Sequence, residues 1–195
     1  MPSAHDVAAF IDREWGRPTS MKLQKLLYYA QAWSLVWDGG PLFAEPIEAW
    51  ADGPVVRSVF GRRKHGVEQG DPDELSDAQQ ETVREVLRVY ARHQGDWLSS
   101  LSHRELPWCE ARGSTPSGER STSIISLATM RAFYGSAGAP AKSIPEAYQR
   151  GMRLLVALPE DEAGRMFTER VAIRGEDAIG WLMGEGPATW PASSG

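Results

Sequence analysis

The chain has 195 residues, 42% of them hydrophobic and 24% charged, and its 8 Trp, 5 Tyr and 5 Phe supply enough bulk for a core without disulfides. A single cysteine, Cys109, excludes an internal disulfide and a multi-cysteine zinc site and points to a reducing compartment. The net charge of −5 and pI near 5.4 run against a dedicated duplex-binding domain, whose affinity comes largely from neutralising phosphates.

In chain order, Val7, Phe10, Ile11 and Glu14 keep helical spacing between Asp6 and Trp15, and Gly16 with Pro18 closes this first helix. Thr19 or Ser20 caps a second, carrying Leu23, Leu26, Leu27, Ala30, Trp33 and Trp37 on one stripe, with Tyr28, Tyr29, Leu35 and Val36 on its other sides. A helix apolar on most sides is expected to be the central one. Asp38 to Pro41 ends it, Pro46 to Ala51 reads as a short strand, and Gly53 breaks that strand. Asp52, Gly53 and Pro54 read as a turn, with Pro54 at the first position of a helix that continues through Val59 and Phe60 into a basic loop of Arg62, Arg63, Lys64 and His65.

Ser76 with Gln79 is a capping box, opening a helix with the stripe Val83, Val86, Leu87, Tyr90 and Ala91. A short helix around Trp97, Leu98 and Leu101 follows, then Leu106 to Trp108 and a surface loop from Gly113 to Gly118. Ser126 caps a helix through Leu127, Met130, Phe133 and Tyr134, and Gly135 to Pro140 suits a boundary. The expected organisation is a mainly α unit over 1–138 with one short strand element, a helical extension over 139–185, and a flexible tail over 186–195. Within the extension, helices are expected around Tyr148 to Leu158, Glu160 to Arg170 and Asp177 to Met183. No internal repeat is evident.

No apolar run of about 20 residues is present, and Met1 to Asp6 holds no basic segment leading into an apolar one, so the expected setting is the cytoplasm without a membrane partner. Catalysis would need a nucleophile with a base, a carboxylate pair or a metal cluster at usable spacing. His5, His65, His93 and His103 are scattered instead, and no metal, cofactor or catalytic residue is expected. His103 lies near Cys109, but a neighbouring pair of this kind is more often a structural histidine satisfied by backbone carbonyls than a catalytic couple. The Gly113 to Gly118 loop lacks the lysine and preceding strand of a phosphate loop.

Several elements in one order carry a resemblance. Met21-Lys22-Leu23-Gln24-Lys25-Leu26-Leu27-Tyr28-Tyr29-Ala30-Gln31-Ala32-Trp33 is followed by Pro41-Leu42-Phe43 and Pro46-Ile47-Glu48-Ala49-Trp50, and then by Gly53 to Val56. Leu75-Ser76, Leu101-Ser102-His103, Pro107-Trp108 with Ala111, and Ile124-Ile125-Ser126 with Met130 come after. Over roughly residues 5 to 135 the chain resembles the Panacea domain antitoxins, typified by SocA-like and phage GepA-like sequences. The resemblance implies a compact helical domain with a small strand element. It also implies an antitoxin that binds a cognate protein toxin encoded by a neighbouring gene, in a prophage or phage-defence setting, without catalysis or cofactor. Handing the toxin to a protease is a variant that it allows, and it names no particular toxin.

Three regions are candidates for partner contact. Gln24, Tyr28 and Gln31 form a flank of the second helix whose tyrosine and amides suit either an interface or a core, and both readings stay open. Arg57, Arg62 and Arg63 form a basic ridge suited to anchoring a partner, or, in a second reading, to binding nucleic acid for autorepression of the operon. Phe167 and Trp181 belong to an apolar set in the extension, with Met152, Leu155, Met166, Leu182 and Met183, which could form an extra layer on the domain or adapt to a partner.

Overall fold

A computed structural model describes residues 1–66, 70–138 and 142–157. The expected helices over 160–170 and 177–183, the tail, and the candidates Phe167 and Trp181 lie outside the described residues.

The first helix, α1 (Ala4–Trp15), opens two residues early because Ser3 and Asp6 form a capping box. The Ser3 backbone N–H donates to Asp6 Oδ2 at 2.7 Å, and the Asp6 N–H donates to Ser3 Oγ at 3.2 Å. Thr19 caps α2 (Ser20–Trp37) by accepting from the Lys22 N–H, and every residue from Leu23 to Leu35 is buried. This is the central helix, packed by α1, by α4 (Asp77–Tyr90), by α5 (Gly95–Ser102) and by α7 (Leu127–Gly135). Ser76 and Gln79 form the expected capping box of α4, and the buried residues of that helix include Val83, Val86, Leu87 and Tyr90.

The strand element is a hairpin, β1 (Glu48–Trp50) with β2 (Gly53–Val55), pairing Glu48 with Val55 and Trp50 with Gly53. Pro54 therefore lies in a strand rather than at a helix start, and α3 begins three residues later, at Arg57, running to Lys64. A proline is tolerated there because β2 is an edge strand and Pro54, opposite Ala49, sits at a position whose N–H would point away from β1. The expected basic loop is likewise the end of a helix, since Arg62, Arg63 and Lys64 form the last turn of α3.

Leu106 to Arg112 forms a further short helix, α6, with a proline in its first turn, and α8 (Glu146–Ala157) follows α7. Tyr148, Met152 and Leu155 of α8 join the same apolar cluster as α2, with Tyr148 edge-on to Trp33 at 5.6 Å. Among the described residues, no helix is long and apolar enough to cross a membrane.

Candidate partner-binding site

The flank of α2 left open between an interface and a core faces inward. Gln31 Oε1 accepts the backbone N–H groups of Leu42 and Phe43 at 2.8 and 3.2 Å, while its Nε2 donates to the Phe43 carbonyl at 3.0 Å. Gln24 Oε1 accepts the Val56 N–H at 2.7 Å, tying α2 to the residue before α3. Tyr28 is fully buried, its hydroxyl 3.1 Å from that of Tyr134. Partner contact through Gln24, Tyr28 and Gln31 is thus corrected. Glutamine on this helix serves to satisfy the backbone of the irregular segments wrapped around it, a task buried N–H groups impose. Gln31→Ala, which strands two N–H groups and one carbonyl, is expected to cost about 2 to 3 kcal/mol. Urea denaturation checks this, and a midpoint equal to wild type would show that the three bonds are not made.

At the centre lies Glu105, preceding α6 and completely enclosed. Tyr134 donates to Glu105 Oε2 at 2.8 Å and Tyr29 to the same oxygen at 3.3 Å, while the Tyr148 hydroxyl lies 3.5 Å from Oε1. Burial raises the Glu105 carboxyl to about 8 against the lowering effect of the tyrosine hydroxyls, so it is held protonated at neutral pH. The same burial pushes the surrounding tyrosines well above their ordinary value. A neutral carboxylic acid ringed by phenols joins α2, α7 and α8 through polar bonds without a buried charge.

A second buried hub holds the hairpin. The Lys25 ammonium donates to the Asp52 carbonyl at 2.5 Å and to the Pro54 carbonyl at 3.3 Å, with the Ser99 hydroxyl donating to the same Asp52 carbonyl at 2.7 Å. Burial lowers Lys25 to about 7, the charge of Asp52 opposing the shift. From the other side, Trp108 Nε1 donates to the Trp50 carbonyl at 3.1 Å and Arg112 Nη1 to the Ala49 carbonyl at 3.2 Å.

His103 and Cys109 do not form a couple. The Cys109 thiol donates to the His103 backbone carbonyl at 3.1 Å, and burial pushes it up to about 12, the opposite of an activated nucleophile. The His103 ring stacks on Trp108 at 4.2 Å, and burial lowers it to about 4. Its Nε2 is buried without a hydrogen-bond partner, so the expectation of an imidazole satisfied by carbonyls does not hold at that nitrogen. Among the described residues, no group of three or more His, Cys, Asp or Glu could hold a metal ion.

What the hairpin presents outward is a composite face. Glu48 and Trp50 share one side of β1, and Ile124 lies opposite Glu48 across an isolated antiparallel bridge. Trp50 Nε1 donates to Glu48 Oε2 at 2.7 Å, Phe60 meets the Trp50 ring edge-on at 5.2 Å, and Arg57 lies 5.9 Å above that ring. The Arg57 guanidinium is 3.6 Å from Glu48 Oε1 yet leaves 65% of its side chain exposed. Of the three arginines of the expected ridge, Arg57 belongs to this face, and Arg62 is exposed further along α3. Arg63 does not belong: with 7% of its side chain exposed, it pairs with Asp12 at 2.6 Å and donates to the Pro18 carbonyl, tying α3 to α1. The ridge is corrected in that respect, because helical geometry turns consecutive arginines to different sides.

Residues 23–109 match the family described as antitoxin SocA-like, Panacea domain. Over that stretch the chain is similar to the Panacea domain. No curated protein and no solved structure matches the chain. The matched stretch runs from α2 into α6 and takes in Gln24, Lys25, Gln31, the hairpin and Glu105, while Arg112, Tyr134 and Tyr148, which complete the two polar hubs, lie beyond it. Ile124, α7 and α8 come after its end and complete the core and the outer face. Glu105 and Lys25 were missed by sequence reasoning because nothing local distinguishes a buried carboxyl or ammonium from an exposed one. Trp50 and Phe60 carried a usable signal, as aromatic residues on either side of a Gly-Pro break.

Proposed function

We propose that this chain is the antitoxin of a toxin–antitoxin pair and neutralises a cognate protein toxin, the product of a neighbouring gene, by binding it directly through the face of Trp50, Arg57, Phe60 and Ile124. The match of residues 23–109 to an antitoxin domain supports the general role. The observation that carries the surface is the exposed Arg57 guanidinium set over a half-buried Trp50, on a hairpin gripped from inside by Lys25, Ser99, Trp108 and Arg112. Rigid aromatic and arginine anchors concentrate interface energy, and a partner covering about 800 Å² of this side would bury a standard-sized interface.

Co-expression with the adjacent open reading frame tests the reading. The neighbouring gene alone should stop growth, and this protein should restore it and co-purify with its product. Arg57→Ala is expected to weaken the complex by about 30-fold, the effect of losing an anchor worth roughly 2 kcal/mol, with unchanged thermal stability. A harmless neighbour would remove the antitoxin reading, and salt-dependent DNA binding lost on Arg62 substitution would replace it with autorepression. Rescue accompanied by disappearance of the toxin and no recoverable complex would point to delivery to a protease.

A further inference from the structure

The bridge between Glu48 and Ile124 fixes which way the backbone of residues 123–125 faces. The Ala49 N–H donates to the Ser123 carbonyl at 2.8 Å, and the Ile125 N–H donates to the Ile47 carbonyl at 2.8 Å. Bonds through the flanking residues define Glu48 and Ile124 as a non-hydrogen-bonded antiparallel pair, in which the N–H and C=O of both residues point away from each other. Those of Glu48 point into the hairpin, towards Val55. Those of Ile124 point outward, to the free edge of a three-segment sheet ordered β2, β1 and 123–125. Neither of these two groups has a partner among the described residues, and Ile124 is 53% exposed.

Exposed edges are normally blunted by lysine, proline or an inward charge, because an open donor and acceptor pair templates further strands. Residues 121–126 read Ser-Thr-Ser-Ile-Ile-Ser and hold none of these. Two exposed arginines lie on the elements next to the edge. Arg57 is exposed on the face beside Ile124, and on α7 the exposed Arg131 follows the exposed Leu127 by one helical turn on the same stripe. Glu48, the carboxylate nearest Arg57, has 10% of its side chain exposed and is engaged by the Trp50 indole.

We infer that the edge at Ile124 takes an extended segment of the protein partner as an added antiparallel strand, with acidic side chains of that segment set against Arg57 and Arg131. Backbone bonding at the edge would be indifferent to most of the partner's sequence, while the Ile124 and Trp50 side chains and the two arginines would select which strand fits. The inference rests on the neutralisation reading and names the chemistry of the segment bound at that same face.

Ile124→Pro tests it, because the N–H it removes bonds nothing inside the domain and the residue is already extended. With the co-expressed toxin as probe, Ile124→Pro is expected to weaken the complex at least about tenfold, while Ile124→Val, which keeps the N–H, stays within about threefold. Arg131→Glu should slow association and remove much of its salt dependence. Hydrogen exchange on the wild-type protein gives a readout that does not depend on any variant folding: the Ile124 amide should exchange fast in the free protein and be protected in the complex. A complex bound equally well by Ile124→Pro, or an Ile124 amide left unprotected, overturns strand addition while leaving neutralisation standing. Failure of the wild-type protein to bind the toxin at all overturns both.

Discussion

Gly53→Ala is expected to destabilise the domain by roughly 3 kcal/mol or more. Two causes combine. Gly53 has φ +102, a region that residues with a Cβ avoid, and an added Cβ would lie 2.5 Å from Lys25 Nζ, 2.8 Å from Lys25 Cε and 2.9 Å from Ser102 Oγ. The end of a lysine would ordinarily swing aside, but this one is fully buried and fixed to the carbonyls of Asp52 and Pro54. Moving it would leave an ammonium and the Pro54 carbonyl unsatisfied in the interior, while the Asp52 carbonyl keeps its bond from Ser99. Urea denaturation of Gly53→Ala in the wild-type and Lys25→Met backgrounds separates the causes. In the second background the buried ammonium is already gone, so the cost should fall towards the backbone strain of about 1 to 2 kcal/mol together with the contact at Ser102 Oγ. Equal costs in both backgrounds would show that the lysine is not the obstacle.

Glu105 is expected to withdraw stability as pH rises from about 5 to about 8, an effect that His103, lowered from 6.5 to about 4 by burial, offsets up to about pH 6.5. The Glu105 carboxyl is raised from 4.5 to about 8 by burial, so across that interval the folded protein keeps a proton that the unfolded chain releases. The stabilisation is present in full below the unfolded value and is lost as pH rises through the folded one. Lys25 acts with the opposite sign. Lowered from 10.5 to about 7, it contributes fully above the unfolded value and loses that contribution as pH falls towards the folded one. The two effects oppose each other between about 7 and 8, which places a stability minimum there. Glu105→Gln, which keeps hydrogen bonding to the tyrosines without a titrating proton, should gain stability relative to wild type as pH rises across this interval, a change on the order of a few kcal/mol. Urea midpoints at about pH 5, 6.5 and 8 measure it, and a difference from wild type that stays constant with pH would assign the effect elsewhere.

Much of the fold was legible because its signals are local. The Ser76 and Gln79 box, the Thr19 cap and the apolar stripes of α2 and α4 specify helices without reference to the rest of the chain. Pro54 misled because the tolerance of a strand for proline depends on which neighbour the strand has, and that neighbour is set by tertiary structure. Gln24 and Gln31 misled for a related reason. Their amides look suited to an interface until the partner is seen to be the protein's own backbone at Val56, Leu42 and Phe43. The exposure of Arg57 could be expected from its type and setting, whereas the edge at Ile124 could not, since it exists only through a bridge between positions 76 residues apart. The internal acid Glu105 is the extreme case: four helices' worth of folding is needed before its surroundings exist.

The hairpin and the loop after α6 are gripped almost wholly through main-chain oxygens. Lys25 and Ser99 hold Asp52, Lys25 holds Pro54, Trp108 holds Trp50, and Arg112 reaches Ala49, Pro116 and Glu119. A carbonyl is the same whatever side chain its residue carries. The outward positions of these segments can therefore drift in sequence while the clamp beneath them stays intact, so the surface can be re-lettered without a loss of folding.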